Sequence, residues 1–126
     1  MVSYEIIKRE LARCDVVHHT LSHYTKTLLV QVGQTAVCNK FHSVEQRFCR
    51  WLLTALDKTN GQIIPMTQDA LARVLGTRRA SISGAAGLYQ RNGLIRYTRG
   101  HIAVLNRKQL EIEACECYET IAAAHR

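Results

Sequence analysis

Residues 67–97 read TQDALARVLGTRRASISGAAGLYQRNGLIRY, and this stretch decides the fold. Its small residue, glycine and branched residue fall at the spacing of two short helices joined by a tight turn. Ala72 lets the two helices cross closely. Gly76 supplies the positive φ that the turn requires, and Ile82 packs the second helix back onto the first. Arg78 and Arg79 stand at the start of that second helix, where helix-turn-helix motifs meet the major groove of DNA.

Working outward, the charge is uneven. The chain has 126 residues and a formal charge of +7, room for one modest domain with an appendage. Between Thr67 and His101 there are six basic residues (Arg73, Arg78, Arg79, Arg91, Arg96, Arg99) against one acid, Asp69; the rest carries eleven basic and nine acidic residues. Five of the seven excess charges thus lie in about a quarter of the chain, the footprint of a phosphate-facing surface, although a solvated basic face gives the same count.

The motif sits within a readable order of elements. After Asn92-Gly93 the apolar period changes from helical to two: Ile95 and Tyr97 alternate with Arg96, and beyond Arg99-Gly100, Ile102 and Val104 alternate with Ala103. This predicts a hairpin with a basic tip, the wing of a winged helix. Asn106 is the cap of a last helix with Leu110, Ala114, Cys117 and Ile121 inward. Upstream of the motif, Ser43-x-x-Gln46 is a capping box, and Val44, Phe48, Trp51, Leu52 and Ala55 form the buried stripe of a helix ended by Thr59-Asn60-Gly61. Gln62–Met66, around the only proline, Pro65, suits an edge strand.

From Ser3 to Asn39 a single long helix is expected, with only Gly33 weakening the pattern. Ile7, Cys14, Leu21 and Leu28 recur every seven residues, and Leu11, His18, Thr25 and Val32 follow four further on. These are a and d positions, through which the helix could pair with a copy of itself. The polar His18 and Thr25 weaken that seam, and an amphipathic helix lying on another domain is the alternative.

With motif, wing and long helix together, the chain resembles the C-terminal half of regulators of the cyclic-AMP receptor protein/FNR superfamily, over essentially its whole length. The long helix resembles the family's dimerisation helix, SVEQRFCRWLLTAL the helix after the hinge, and GLIRYTRGHIAVLNRKQLE the wing and final helix. The resemblance implies a mainly α fold: residues 1–40 a long dimerisation helix, residues 41–126 a winged helix-turn-helix domain with a small β-hairpin wing. It implies a homodimer reading a palindromic operator on double-stranded DNA, with RNA polymerase as a further partner. The family's N-terminal β-roll, which binds a small effector, is expected to be missing, so the chain reads as a piece or remnant of a longer regulator and carries no cofactor of its own. Two departures stand out. Where the cyclic-AMP receptor reads its operator with Arg-Glu and a second Arg four residues on, this chain has Arg79, Ala80 and Gly84; where a Thr-Ser pair helps bind cyclic AMP, it has Val32-Gly33. Neither that operator nor that nucleotide is expected here.

The candidate DNA contacts are Thr67, Gln68, Arg78, Arg79, Ser81, Ser83, Arg96, Thr98 and Arg99. Arg79 is the base reader, because a guanidinium donates two parallel hydrogen bonds to guanine O6 and N7. Arg78 is as well suited to a phosphate. Ser81 and Ser83 are short polar groups within reach of base edges or phosphates. By resemblance Thr67 and Gln68, at a helix N-terminus, and Arg96, Thr98 and Arg99, on the wing, hold phosphates and set the frame without specifying sequence. The candidate dimer contacts are Ile7, Leu11, Cys14, Leu21, Leu28 and Val32.

Other chemistries find little support. His19 and His23 are one helical turn apart but lack further ligands, and Cys115 and Cys117, read on one helix, do not share a face; no metal site is expected. Cys117 reads as a small hydrophobe. The acids are scattered, and there is neither a Ser/His/Asp order nor a Gly-rich phosphate loop, so an enzyme is not expected. Five unpaired cysteines and the charged segment Tyr4–Arg13 point to a soluble, reduced, cytoplasmic protein with no membrane association. The rival functions are a protein–protein assembly module and a non-specific architectural DNA binder.

Overall fold

The computed structural model describes residues 3–13, 15–61 and 63–125, residues 11–13 by their backbone. The elements are α1 (Tyr4–Arg13), α2 (Asp15–Phe41), α3 (Val44–Thr59), β1 (Ile63–Pro65), α4 (Gln68–Leu75), α5 (Arg79–Arg91), β2 (Ile95–Thr98), β3 (His101–Val104), α6 (Arg107–Glu113) and α7 (Cys117–Ala124). The fold is mainly helical, with one antiparallel sheet of order β1-β3-β2.

α3 is the hub, touching α5, α6, α7 and β1. Its capping box is made: Gln46 N–H donates to Ser43 Oγ at 3.2 Å, and Ser43 N–H donates to Gln46 Oε1 at 3.1 Å. It ends at Asn60, whose left-handed φ of 54° lets its N–H return to the Leu56 carbonyl at 3.2 Å. The buried stripe is wider than the sequence predicts. Phe48 and Leu52 are buried, but so are Cys49, Leu53 and Leu56, because elements cover the helix on more than one side; Val44, Trp51 and Ala55 are only partly buried. Arg47 is buried too, and its guanidinium donates to the carbonyl of Leu75, one of the orphan acceptors at the end of α4.

The sheet closes the other side of the core. Ile95 pairs with Val104, and Ile102 lies between Ile64 and Tyr97, so Ile64, Ile95, Ile102 and Val104 share the inner face. β1 is an edge strand ending at Pro65, which has no N–H to lose there.

The C-terminal helix is where the sequence expectation fails. Instead of one helix from Asn106, α6 stops at Glu113 and α7 starts at Cys117, with Ala114 extended at φ −71°, ψ 152°. No Gly or Pro marks the corner. Its cause is tertiary: α6 packs on α3 whereas α7 packs mainly on α2, and one straight helix does not lie along both. A polar strap holds the bend. Arg107 Nη2 donates to Asp57 Oδ1 at 2.6 Å, and Tyr118 Oη donates to Asp57 Oδ2 at 2.8 Å. Burial, and then that bond to Asp57, push the Tyr118 phenol up to about 12.

α1 and α2 flank residue 14 along the expected long helix. α2 has two distinct sides. Thr27 Oγ1 donates to the Ala124 carbonyl at 3.0 Å, Gln31 Oε1 meets His125 Nε2 at 3.2 Å, and Cys38 is buried, so this side lies on α7. The heptad residues Leu21, Leu28 and Val32 point about 100° away around the helix, and they are exposed. Ile7 on α1 is exposed as well; Cys14 and the side chain of Leu11 lie outside the described residues.

Candidate nucleic-acid interface

α4 and α5 form the helix-turn-helix. Thr67 caps α4, its Oγ1 accepting from Ala70 N–H at 3.1 Å. Gly76 ends it at φ 64°, and Thr77 N–H returns to the Ala72 carbonyl at 2.9 Å. Ala72 is buried at the crossing, with Ile82, Ala85, Ala86 and Tyr89 of α5. Tyr89 Oη donates to the Glu45 carbonyl at 2.9 Å, fastening the last turn of α5 to α3; burial raises its pKa.

What α5 turns outward is small. Ala80, Gly84 and Gly87 fall on one line opposite the buried face. A Cβ on Gly84 would meet open space, and one on Gly87 would come 3.3 Å from Arg91 Nη1, so the Arg91 guanidinium lies over Gly87. At Ala80 and Gly84 the helix backbone can therefore come close to a surface it faces. Arg78, at the N-cap, makes no side-chain cap bond.

Beside this line the first turn of α4 grips α5. Ser83 Oγ donates to Gln68 Oε1 at 2.5 Å, and Arg79 Nη1 is 3.6 Å from Asp69 Oδ2, both groups well exposed. Arg79, Ser83, Gln68 and Asp69 are thereby brought together. Ser81 is not: it is half-buried and about 200° around the helix from Ser83.

The wing tip joins the same surface. Arg99 and Gly100 both have positive φ, 42° and 78°, the twist that a two-residue hairpin requires. Gly100 O accepts from Met66 N–H at 2.7 Å, and a Cβ on Gly100 would be 3.5 Å from Thr67 Cγ2, so the tip rests on the start of α4. Tyr97 fixes the wing twice: its N–H donates to Gln90 Oε1 at 3.1 Å, and its Oη donates to the Met66 carbonyl at 2.5 Å. Burial raises the Tyr97 pKa. Arg96 and Thr98 lie on the exposed face of β2. All six arginines counted between Thr67 and His101 are exposed.

Sequence reasoning missed Asp69 and Gln90 as positioning groups. Asp69 shows in sequence only as an acid in a first helical turn, where it also suits the helix dipole. Gln90 carries no local signal at all. Among the described residues, no helix is long and apolar enough to cross a membrane.

Residues 46–112, just over half of the chain, match the Crp-like helix-turn-helix domain. No curated protein sequence matches the chain. Among solved structures, a protein of the Crp/Fnr family from Eubacterium rectale is 23% identical with a TM-score of 0.68, over 90% of this chain and 52% of its own. A CRP-family transcriptional regulator from Thermus thermophilus is 19% identical with a TM-score of 0.64, over 90% and 55%. The Catabolite Activator Protein of the same organism is 20% identical with a TM-score of 0.51, over 93% and 45%. At these identities the likeness shows the fold. The chain spans about half the length of the solved structures it matches.

Proposed function

The chain belongs to the family of Crp-like helix-turn-helix domains, and from that premise we propose that it is the DNA-binding half of a transcription regulator, reading a palindromic site as a homodimer. The observation that carries this reading is the outer side of α5. Its backbone is bared by Ala80 and Gly84, and Arg79 stands beside it with Asp69 to orient the guanidinium. Such a helix fits a major groove closely and offers one bidentate donor for guanine, worth roughly 1–3 kcal/mol of discrimination. Arg78, Thr67, Gln68 and the wing residues Arg96, Thr98 and Arg99 supply phosphate contacts around it, and Ser83 reaches the groove from its bond to Gln68. Ser81, half-buried on the other flank, contributes least.

In this reading residues 1–40 are the dimerisation helix and 41–126 the DNA-binding domain. The exposed apolar residues Ile7, Leu21, Leu28 and Val32 form the pairing seam, with Leu11 and Cys14 continuing it by register. Two recognition helices related by that two-fold would enter successive major grooves about 34 Å apart. RNA polymerase is a further partner, and an effector domain belongs to the longer regulator.

Selection of the chain on random duplex DNA, with winners and losers compared across salt, tests the reading. A palindromic winner with half-sites one turn apart is the expected result. Enrichment without sequence preference would make the chain an architectural binder, and no binding would favour an assembly module. Leu21→Asp combined with Leu28→Asp should give a folded monomer by sedimentation, whereas an unchanged mass would place the dimer contact elsewhere.

A further inference from the structure

The bend between α6 and α7 carries Cys115 and Cys117 to the last turn of α2. Cys38 Sγ is 3.5 Å from Cys115 Sγ, and Cys117 Sγ is 3.5 Å from His42 Nδ1. All four donor atoms lie within 4.8 Å of one another. The three cysteines are buried, and they form a cluster separate from the main apolar core. His42 closes the cluster with a side chain only 13% exposed.

Three sulfurs and one imidazole nitrogen make a closed four-ligand set of the kind that holds zinc structurally. Bonds of about 2.3 Å in a tetrahedron put neighbouring donors roughly 3.8 Å apart, close to the spacing already present. An iron–sulfur cluster spreads its ligands over separate iron atoms and needs a wider set. The surroundings fit the metal as well. His42 Nε2 is 3.2 Å from Glu116 Oε1, a carboxylate partner that keeps the proton on Nε2 and leaves the Nδ1 lone pair facing the sulfurs. Gln34 Nε2 donates to Cys117 Sγ at 3.1 Å. Arg50 is buried, and its positive charge acts on Cys38, favouring the thiolate. Zinc with three thiolates and a neutral imidazole carries one net negative charge, which the Arg50 guanidinium offsets.

We propose that Cys38, His42, Cys115 and Cys117 bind one zinc ion that pins the end of α2 to the α6–α7 corner. On binding, three thiol S–H bonds give three Zn–S bonds and three protons pass to solvent. The site adjoins the His42–Ser43 junction where α2 gives way to α3, so an occupied site fixes the angle at which the long helix leaves the winged helix.

The test uses the full chain, reduced, stripped with a chelator and titrated first with cobalt(II) and then with zinc. One cobalt per chain is expected, with thiolate-to-cobalt charge transfer in the ultraviolet and the intense visible bands of a tetrahedral site, both erased by zinc. Cys115→Ser should reduce the charge-transfer band, and Cys49→Ala, in the separate main core, should leave it intact. Glu116→Gln changes an exposed side chain and should keep the fold while weakening zinc about 10–100-fold. Absence of a tetrahedral cobalt spectrum from the reduced, folded protein would overturn the proposal. So would a spectrum that survives Cys115→Ser combined with Cys117→Ser, or a chain that only closes a Cys38–Cys115 disulfide and takes no cobalt once reduced.

Discussion

α2 and α3 follow one another in the chain and are treated in opposite ways. α3 has seven buried residues among sixteen, covered by helices and a strand, whereas α2 has two, Thr27 and Cys38, among twenty-seven. Most helical stability in proteins comes from tertiary packing rather than propensity. α3 therefore draws its stability from within the chain. α2 draws part of its own from α7 and leaves Leu21, Leu28, Leu29 and Val32 in water. α3 is covered on several sides, whereas α2 keeps an exposed apolar side.

The largest expected effect lies in α3. Phe48→Ala, at a fully buried site, should cost about 3–5 kcal/mol in denaturant unfolding. Leu28→Ala, measured on the same chain at a concentration low enough to keep it monomeric, should change stability by less than about 0.5 kcal/mol. Comparable losses from both would mean that α2 is buried in solution, and the contrast between the helices would fail.

The next effects sharpen a second contrast, between α5 and the wing. Arg79→Ala should cost about 1–3 kcal/mol on the preferred DNA and little on other sequences. Arg99→Ala should weaken all duplexes alike and lower the salt slope by about one. Equal behaviour of the two in binding titrations would remove the base-reading role from Arg79. Thr67→Ala, at the cap of α4 beside the wing tip, should cost about 1 kcal/mol of thermal or denaturant stability.

Legibility followed the range of the interaction. The capping box Ser43/Gln46, the turn glycine Gly76, the edge proline Pro65 and the hairpin tip Arg99-Gly100 were all readable, because each acts on backbone within a few residues. The wing and the helix-turn-helix followed from them. Within the candidate interface, Thr67, Gln68, Arg79 and Ser83 could be named, but their pairing could not. Gln68 meets Ser83 and Asp69 meets Arg79 only because α4 and α5 cross at Ala72. Ser81 and Ser83 look equivalent in sequence, and the burial of Ile82 between them sends them to different flanks.

The sequence by itself determined the order of elements, the basic outer surface and the family resemblance, since periodicity, caps and turn residues act locally. Only the tertiary structure decided where the last helix breaks and what that break assembles. The segment capped by Asn106, with Leu110, Ala114, Cys117 and Ile121 inward, reads as one helix with Cys115 and Cys117 apart. Packing of α6 on α3 and of α7 on α2 bends it at Ala114–Glu116 and brings both thiols to Cys38 and His42. Contacts across more than seventy residues leave no local trace, because the choice between a straight helix and a bent one is made by the surfaces each half can bury.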